Sequence, residues 1–207
     1  MTVMQRLMSI TRRAGRIVRN PVVGHAVGLC YHRVATLGRD PEMLAVTPER
    51  FDAQMALLRA RYEPVRLADL LDGLHAGRSP RDRAVVVTFD DGYADNLLAA
   101  LPILERHEIP ATVFVTSGYL AGPHEFYWDD LSRILHETPA LPGRLELQLP
   151  GERVNCDTTD RQAVYELLRA KLRPLPDAIR RTALEAMARW AGVPVTVRPS
   201  HATLTAA

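Results

Sequence analysis

The stretch Ala84-Val85-Val86-Val87-Thr88-Phe89-Asp90-Asp91-Gly92 constrains this chain more than any other. It reads as a strand with apolar residues on both faces, and such a strand needs helices to cover it. It stops at two carboxylates and a glycine. In α/β folds the C-terminal ends of such strands are where ligands and chemistry collect.

The flanking sequence supplies the helices and further strands. Val27 to Tyr31 reads as a first buried strand, ending at His32-Arg33. Thr47-Pro48-Glu49 opens a helix with a capping hydroxyl, a proline in the first turn and an acid. Phe51, Met55 and Leu58 form its apolar stripe. Pro64 to Leu67 is a short strand, and Asp69 to Ala76 a short helix closed by Gly77. Ala94 to His107 is a helix with Leu97, Leu98, Leu101 and Leu104 on its inner side, bent or restarted at Pro102. Ala111 to Val115 is another strand. Strands alternating with helices at this spacing predict parallel pairing through right-handed crossovers.

After Gly118 the pattern changes. Phe126 to Leu131 leads into a helix reaching about His136. Leu145, Leu147 and Leu149 alternate as an edge hairpin strand, and Asp160–Arg173 and Asp177–Ala191 read as amphipathic helices. The segments are therefore a basic helix or arm over 1–24, a barrel part over 25–119, and an insertion with a helical hairpin over 120–207.

Composition narrows the function. The chain has 207 residues, 47% of them hydrophobic, and a net charge of +2. That balance does not point to nucleic acid, and no run approaches the roughly 18 apolar residues of a membrane span. The first twenty residues carry Arg6, Arg12, Arg13, Arg16 and Arg19 and no acid. They fit either a basic amphipathic helix making peripheral contact with an anionic membrane surface or a helix or arm packed on the domain. Arginines interrupt any signal-peptide apolar core, so a cytoplasmic or inner-membrane-face location is expected. Cys30 and Cys156 give no disulfide framework, and Cys30, in an apolar strand, is expected to be a buried thiol.

Two carboxylates at a strand end allow a division of work. One holds a divalent metal and the other takes a proton from the metal's water. Gly92 lets the backbone turn sharply there. The alternative is that the aspartates cap the following helix. His32, at the end of the first strand, is either a rim residue touching substrate or metal or a structural histidine. His124 with Asp129 and Asp130 is either an improvised metal site or a solvated loop and helix start. His201 reads as incidental.

Thr88-Phe89-Asp90-Asp91-Gly92 resembles the first motif of the polysaccharide deacetylases, the carbohydrate esterases with a NodB-homology domain. Leu29-Cys30-Tyr31-His32-Arg33-Val34, Val46 to Phe51, Pro110 to Val115 and Tyr127-Trp128-Asp129-Asp130-Leu131 resemble further parts of that family. The resemblance implies a partial distorted (β/α) barrel with a helical insertion. It implies a hydrolase of N-acetyl amide bonds in amino-sugar polymers, with an N-acetylated polysaccharide or oligosaccharide as partner. By position, Asp90 would be the catalytic base and Asp91 a ligand of a divalent metal, usually zinc, with His32 and Gly92 at the rim.

The family also implies a His-Ser/Thr-x-x-His pair completing the metal's ligands. The seven histidines are His25, His32, His75, His107, His124, His136 and His201, and no two stand four apart. The chain is accordingly expected to be the first part of a longer barrel, since an eight-fold barrel takes about 250 residues. A non-catalytic remnant or sugar-binding module that kept the fold is the alternative.

Overall fold

The computed structural model describes residues 24–122 and 124–206. Apart from Gly24, the basic segment 1–24 lies outside the described residues, and with it both readings of that segment.

The first part is a parallel sheet built around β5 (Ala84–Phe89). Strand β1 (Ala26–Tyr31) lines the whole of one edge of β5, from Ala26 opposite Ala84 to Tyr31 opposite Phe89. The other edge is shared by β4 (Glu63–Pro64) at its start and β6 (Ala111–Val113) at its end. Between β1 and β4 in the chain, β2 (Arg33–Val34) and β3 (Ala45–Val46) form a separate short parallel pair. Helix α1 (Pro48–Arg61) begins as its sequence predicts, with the Thr47 side chain accepting from the Arg50 N–H and proline in the first turn. Helix α2 (Leu67–His75) ends before Gly77, whose φ of 70° needs no Cβ to avoid. Phe51, Met55 and Leu58 of α1 pack with Val85, Val87 and Phe89 of β5 in one hydrophobic cluster.

The mixed α/β class and the helical insertion are present as expected, and among the described residues the four-stranded sheet stays open. Helix α4 (Tyr127–Ser132), with a wide π-type turn at Arg133–Glu137, leads to an antiparallel hairpin, β7 (Arg144–Leu149) and β8 (Glu152–Asp157). Helices α5 (Arg161–Leu172) and α6 (Asp177–Ala191) follow, and Gly192 closes α6 in the left-handed conformation. Leu145, Leu147 and Leu149 alternate inward as the sequence predicts and join Leu168, Leu172 and Met187 in a second hydrophobic cluster. No described helix is long and apolar enough to cross a membrane.

Three expectations are corrected. The segment after Ala94 is not one regular helix: a π-type turn at Asn96–Ala100 precedes α3 (Leu101–Arg106). Pro102 has no N–H to offer the regular ladder, and the buried Asn96 pins the start of the turn. As a result Leu97 and Leu98 are 53% and 72% exposed, and Leu101 also faces out. Only Leu104 of the four leucines, with Ala100 and Ile103, faces the core. The expectation that the strands are covered on both faces also fails at β6, where Val113 and the following Phe114 and Val115 are exposed. Finally, β1 is not a buried strand: none of its residues is fully buried, Val27 is exposed, and Cys30 is an exposed free thiol, not a buried one. Its face of β1 is open, while the core lies on the other.

Candidate functional site

The site follows from strand alternation and parallel register. Tyr31 and Phe89 sit side by side in the register, with rings 5.6 Å apart, and both rings meet Phe51 in the core. Successive side chains point to opposite faces. Cys30 in β1 and His32 just past its end therefore stand on one face, and Thr88 in β5 and Asp90 just past its end stand on that same face of the neighbouring strand. The Asp90 N–H donates to the Tyr31 carbonyl at 2.9 Å, which extends the register one residue beyond β5. The outcome is a cluster in which the Cys30 thiol, the His32 imidazole and a carboxylate oxygen of Asp90 all lie within 4.8 Å of one another. Partial desolvation of the sulfur and the adjacent Asp90 carboxylate push the Cys30 thiol above its ordinary range, although the residue as a whole is exposed.

Asp91 breaks the alternation. Its φ of 70° is left-handed, and Gly92 follows at 79°. The turn is held by the Gly92 N–H donating to the Asp90 carbonyl at 2.9 Å and the Thr116 N–H donating to the Asp91 carbonyl at 3.2 Å. A Cβ on residue 92 would stand 3.1 Å from the Cα of Val115, so glycine is required there by space as well as by φ. The half-buried Asp91 carboxyl is pushed up by burial, while His32 opposes the shift and Asp90 adds to it. Neither aspartate caps a helix. The next helical turn starts at Asn96, with Asp95 in the capping position.

Behind this turn lies a buried polar network that the sequence reading missed. Arg33 is 1% exposed. Its Nε donates to Asp95 Oδ2 at 3.0 Å, its guanidinium lies 4.1 Å from the centroid of the Tyr93 ring, and it also bonds the Ser200 carbonyl. Asp95 Oδ1 accepts the Val34 N–H at 3.1 Å, and Asn96 Nδ2 donates to the His32 carbonyl at 2.9 Å. The backbones on both sides of His32 are thereby fixed.

The segment after the short turn Pro199–His201 straps the acid-bearing loop. Leu204 N–H donates to the Gly92 carbonyl and Ala94 N–H to the Ala202 carbonyl, at 2.8 and 2.9 Å. His201 is buried beside Ser200, and burial together with Arg198 and Arg33 depresses its pKa to about 3. It is thus a packed, neutral imidazole, not an incidental residue.

The structure places Asp90, Asp91 and Gly92 in one turn beside His32, with Cys30 on the same face as His32 and Asp90. It groups Asp90, not Asp91, with the other two metal-competent donors. The triplet His124, Asp129 and Asp130 is not assembled as a donor group. Asp129 accepts from Tyr93, and Asp130 pairs with Arg133 at 2.5 Å. Arg33, Tyr93 and Asp129 were legible only as polar residues set into otherwise apolar stretches beside the motifs.

Residues 77–138 match the family model described as polysaccharide deacetylase. The poly-beta-1,6-N-acetyl-D-glucosamine N-deacetylase of Escherichia coli is 33% identical over 98 residues, covering 47% of this chain and 15% of that protein. The Bacillus subtilis protein YxkH is 29% identical over 97 residues, covering 46% of this chain and 33% of that protein. The chain thus spans a third or less of the curated relatives it matches. The solved structure of IcaB from Ammonifex degensii aligns with a TM-score of 0.44 at 27% identity, over 53% of this chain and 48% of that one.

Proposed function

We propose that this chain, whose residues 77–138 match the polysaccharide deacetylase family model, belongs to that family and hydrolyses N-acetyl amide bonds in an amino-sugar polymer. The observation that carries this reading is the acid pair. Two carboxylates stand at the C-terminal end of the central strand, in a turn that only Gly92 permits, and neither is used as a helix cap.

Deacetylases of this family are generally metal-dependent, and we take zinc as the metal here. The donors present suit it: thiolate, imidazole and carboxylate are the ligand types zinc takes, at about 2.0–2.3 Å. The donor atoms of Cys30, His32 and Asp90 lie within 4.8 Å of one another. When bound, the ion would polarise the acetamide carbonyl and acidify a water.

The chain's own residues do the rest. The acid not engaged with the metal takes a proton from the attacking water. The water oxygen bonds to the acetyl carbon, the C–N bond breaks, and the leaving nitrogen picks up a proton, giving acetate and a free amino sugar. The half-buried, upward-shifted Asp91 carboxyl is suited to that proton. Asn96 ties the His32 carbonyl, and Asp95, itself paired with Arg33, ties the Val34 N–H, which holds the backbone around the rim.

A second reading, a sugar-binding module without turnover, is favoured by one observation. Among the described residues only His32 of the histidines joins the donor group. Purified chain loaded with zinc, cobalt or nickel and given acetylated glucosamine oligomers separates the two. Metal-dependent acetate release supports the deacetylase, and oligomer binding without acetate supports the module.

A further inference from the structure

We propose that a cavity between the short turn Ser117–Tyr119 and helix α6 holds one ring of the acetylated polymer, a second place at which this chain grips it. The identity of the polymer rests on the deacetylase reading, while the site rests on geometry of its own. The cavity measures about 240 Å³. Clefts for drug-sized ligands run to about 300–1,000 Å³, so this one suits a single sugar ring. Val195 and Val197 at its rim are exposed, which leaves it open to solvent.

Its walls match the two characters of a pyranose ring. Tyr119, Tyr127, Leu184 and Val197 offer apolar surface to the C–H face. The Tyr119 ring meets His124 edge-on at 5.2 Å, and its hydroxyl donates to Asp177 Oδ1 at 2.9 Å, so this wall is fixed. The polar wall centres on Arg180. Its guanidinium lies 5.0 Å from the Tyr127 ring centroid, and its side chain is 23% exposed. Arg181 takes Asp177 Oδ2 at 2.7 Å, whereas Arg180 stands 3.6 Å from Oδ1, too far for a hydrogen bond. The Arg180 Nε is buried with no partner, and neither Nη atom is hydrogen-bonded among the described residues. Buried donors are nearly always paired, and a ligand oxygen in the cavity supplies the missing acceptor to the guanidinium. Glu185, on the same helix and the same cavity, has no ion pair among the described residues, so it is free to accept from a ligand hydroxyl.

Charge argues for a neutral ligand. The other two carboxylates of the lining, Glu125 and Asp130, are paired with Arg198 and Arg133. Arg180 and Arg181 then stand against Asp177 and Glu185, an even balance that gives an anion no net attraction. A hydroxyl-rich ring can instead accept from Arg180 and donate to Glu185. The cavity also lies on the chain's path away from the acids. The Thr116 N–H donates to the Asp91 carbonyl, and the Tyr119 N–H donates to the Thr116 carbonyl, at 3.2 and 2.9 Å. A polymer reaching the acid-bearing turn can therefore place another of its rings here, which a monomer cannot do.

The test is binding by the full, metal-free chain. N-acetylglucosamine oligomers should bind in titration calorimetry and slow amide hydrogen exchange in α6 and over Val195–Val197. Inorganic phosphate should do neither. Arg180→Leu removes the donors and keeps apolar bulk over Tyr127, and it should weaken oligomer binding by about tenfold or more. The exchange measurement uses the unaltered protein, so a misfolded variant does not leave the question open. Four results overturn the inference: no oligomer binding, protection confined to the acid-bearing turn, phosphate protecting α6, or folded Arg180→Leu binding as tightly as the unaltered chain. Arg180-dependent binding without acetate release from the metal-loaded chain keeps this inference and removes the deacetylase reading. Acetate release without protection of α6 does the reverse.

Discussion

The Tyr93 hydroxyl donates to Asp129 Oδ2 at 2.7 Å while accepting from the Trp128 indole N–H at 2.8 Å. This one oxygen links the residue after Gly92 to the start of α4. It couples the acid-bearing turn to the insertion. Arg33 lies over the same ring and 3.9 Å from the other Asp129 oxygen, which makes the link part of a buried charge network.

Removing that oxygen should be costly. Tyr93→Phe leaves a buried carboxylate oxygen and a part-buried indole N–H without their partner. An unsatisfied buried group costs about 1–3 kcal/mol. Urea unfolding of the variant should show a loss of that order with an unchanged slope. A loss below about 0.5 kcal/mol, the level of an ordinary surface change, would mean that water replaces the hydroxyl and the link carries no weight.

The same network sets a pH dependence. Burial raises the Asp129 pKa from 3.8 to about 7, against the opposing pull of the Tyr93 hydrogen bond and Arg33. Between those values the folded chain holds a proton that the unfolded chain has released, so stability falls as pH rises. His201 works the other way. Its pKa falls from 6.5 to about 3, so across that window the unfolded chain holds the extra proton and stability rises with pH. The two slopes oppose each other from about pH 4 to 6.5. Asp129→Asn keeps an acceptor for Tyr93 but removes one slope. Its stability should gain on the unaltered chain as pH rises from 4 to 7, by at most about 1.4 kcal/mol per pH unit. Unfolding curves that run parallel over that range would show that Asp129 titrates normally.

Gly92 offers a sharper test of the turn. Gly92→Ala places a Cβ 3.1 Å from the Val115 Cα and forces a non-glycine residue to a φ of 79°. Such a conformation costs about 1–3 kcal/mol. The variant should unfold earlier by that amount and bind cobalt more weakly, because relief of the contact shifts Asp90 and Asp91. Unaltered stability and affinity would show that the turn relaxes freely.

The sheet was legible because its strands are short, apolar and bounded by turn residues, and the acids because a charged pair is conspicuous at the end of an apolar run. The hairpin was legible from the alternation of Leu145, Leu147 and Leu149. The outward Leu97 and Leu98 were not. Their spacing suits an inward helical face, and only the wide turn at Asn96–Ala100, set by Pro102 and by the Asn96 bond to the His32 carbonyl, rotates them out. Cys30 was misread for a related reason. An apolar strand does not announce which of its faces is left open, and that depends on what packs against it. The Arg33 network was invisible because it joins residues as far apart as Arg33 and Ser200, and separation along the chain carries no sign of contact.

The two aspartates should fail differently. The resemblance places Asp91 at the metal and Asp90 at the proton, whereas the donor group contains Asp90. If the geometry decides, Asp90→Asn replaces an anionic ligand by a neutral amide, and the chain should lose bound cobalt or hold it only at high concentration. Asp91→Asn should keep one cobalt per chain and slow acetate release by about 10²- to 10⁴-fold, the usual effect of losing a general base. Excess metal should not restore that loss, because the metal is not what is missing. Metal stoichiometry on each variant, measured beside acetate release, distinguishes the cases, and the stoichiometry alone decides the ligand even where turnover is too slow to follow. Loss of cobalt from Asp91→Asn with retention in Asp90→Asn would return the roles to those implied by the resemblance. Full retention in both would leave Cys30 and His32 without a carboxylate partner, and the acid pair without a place at the metal.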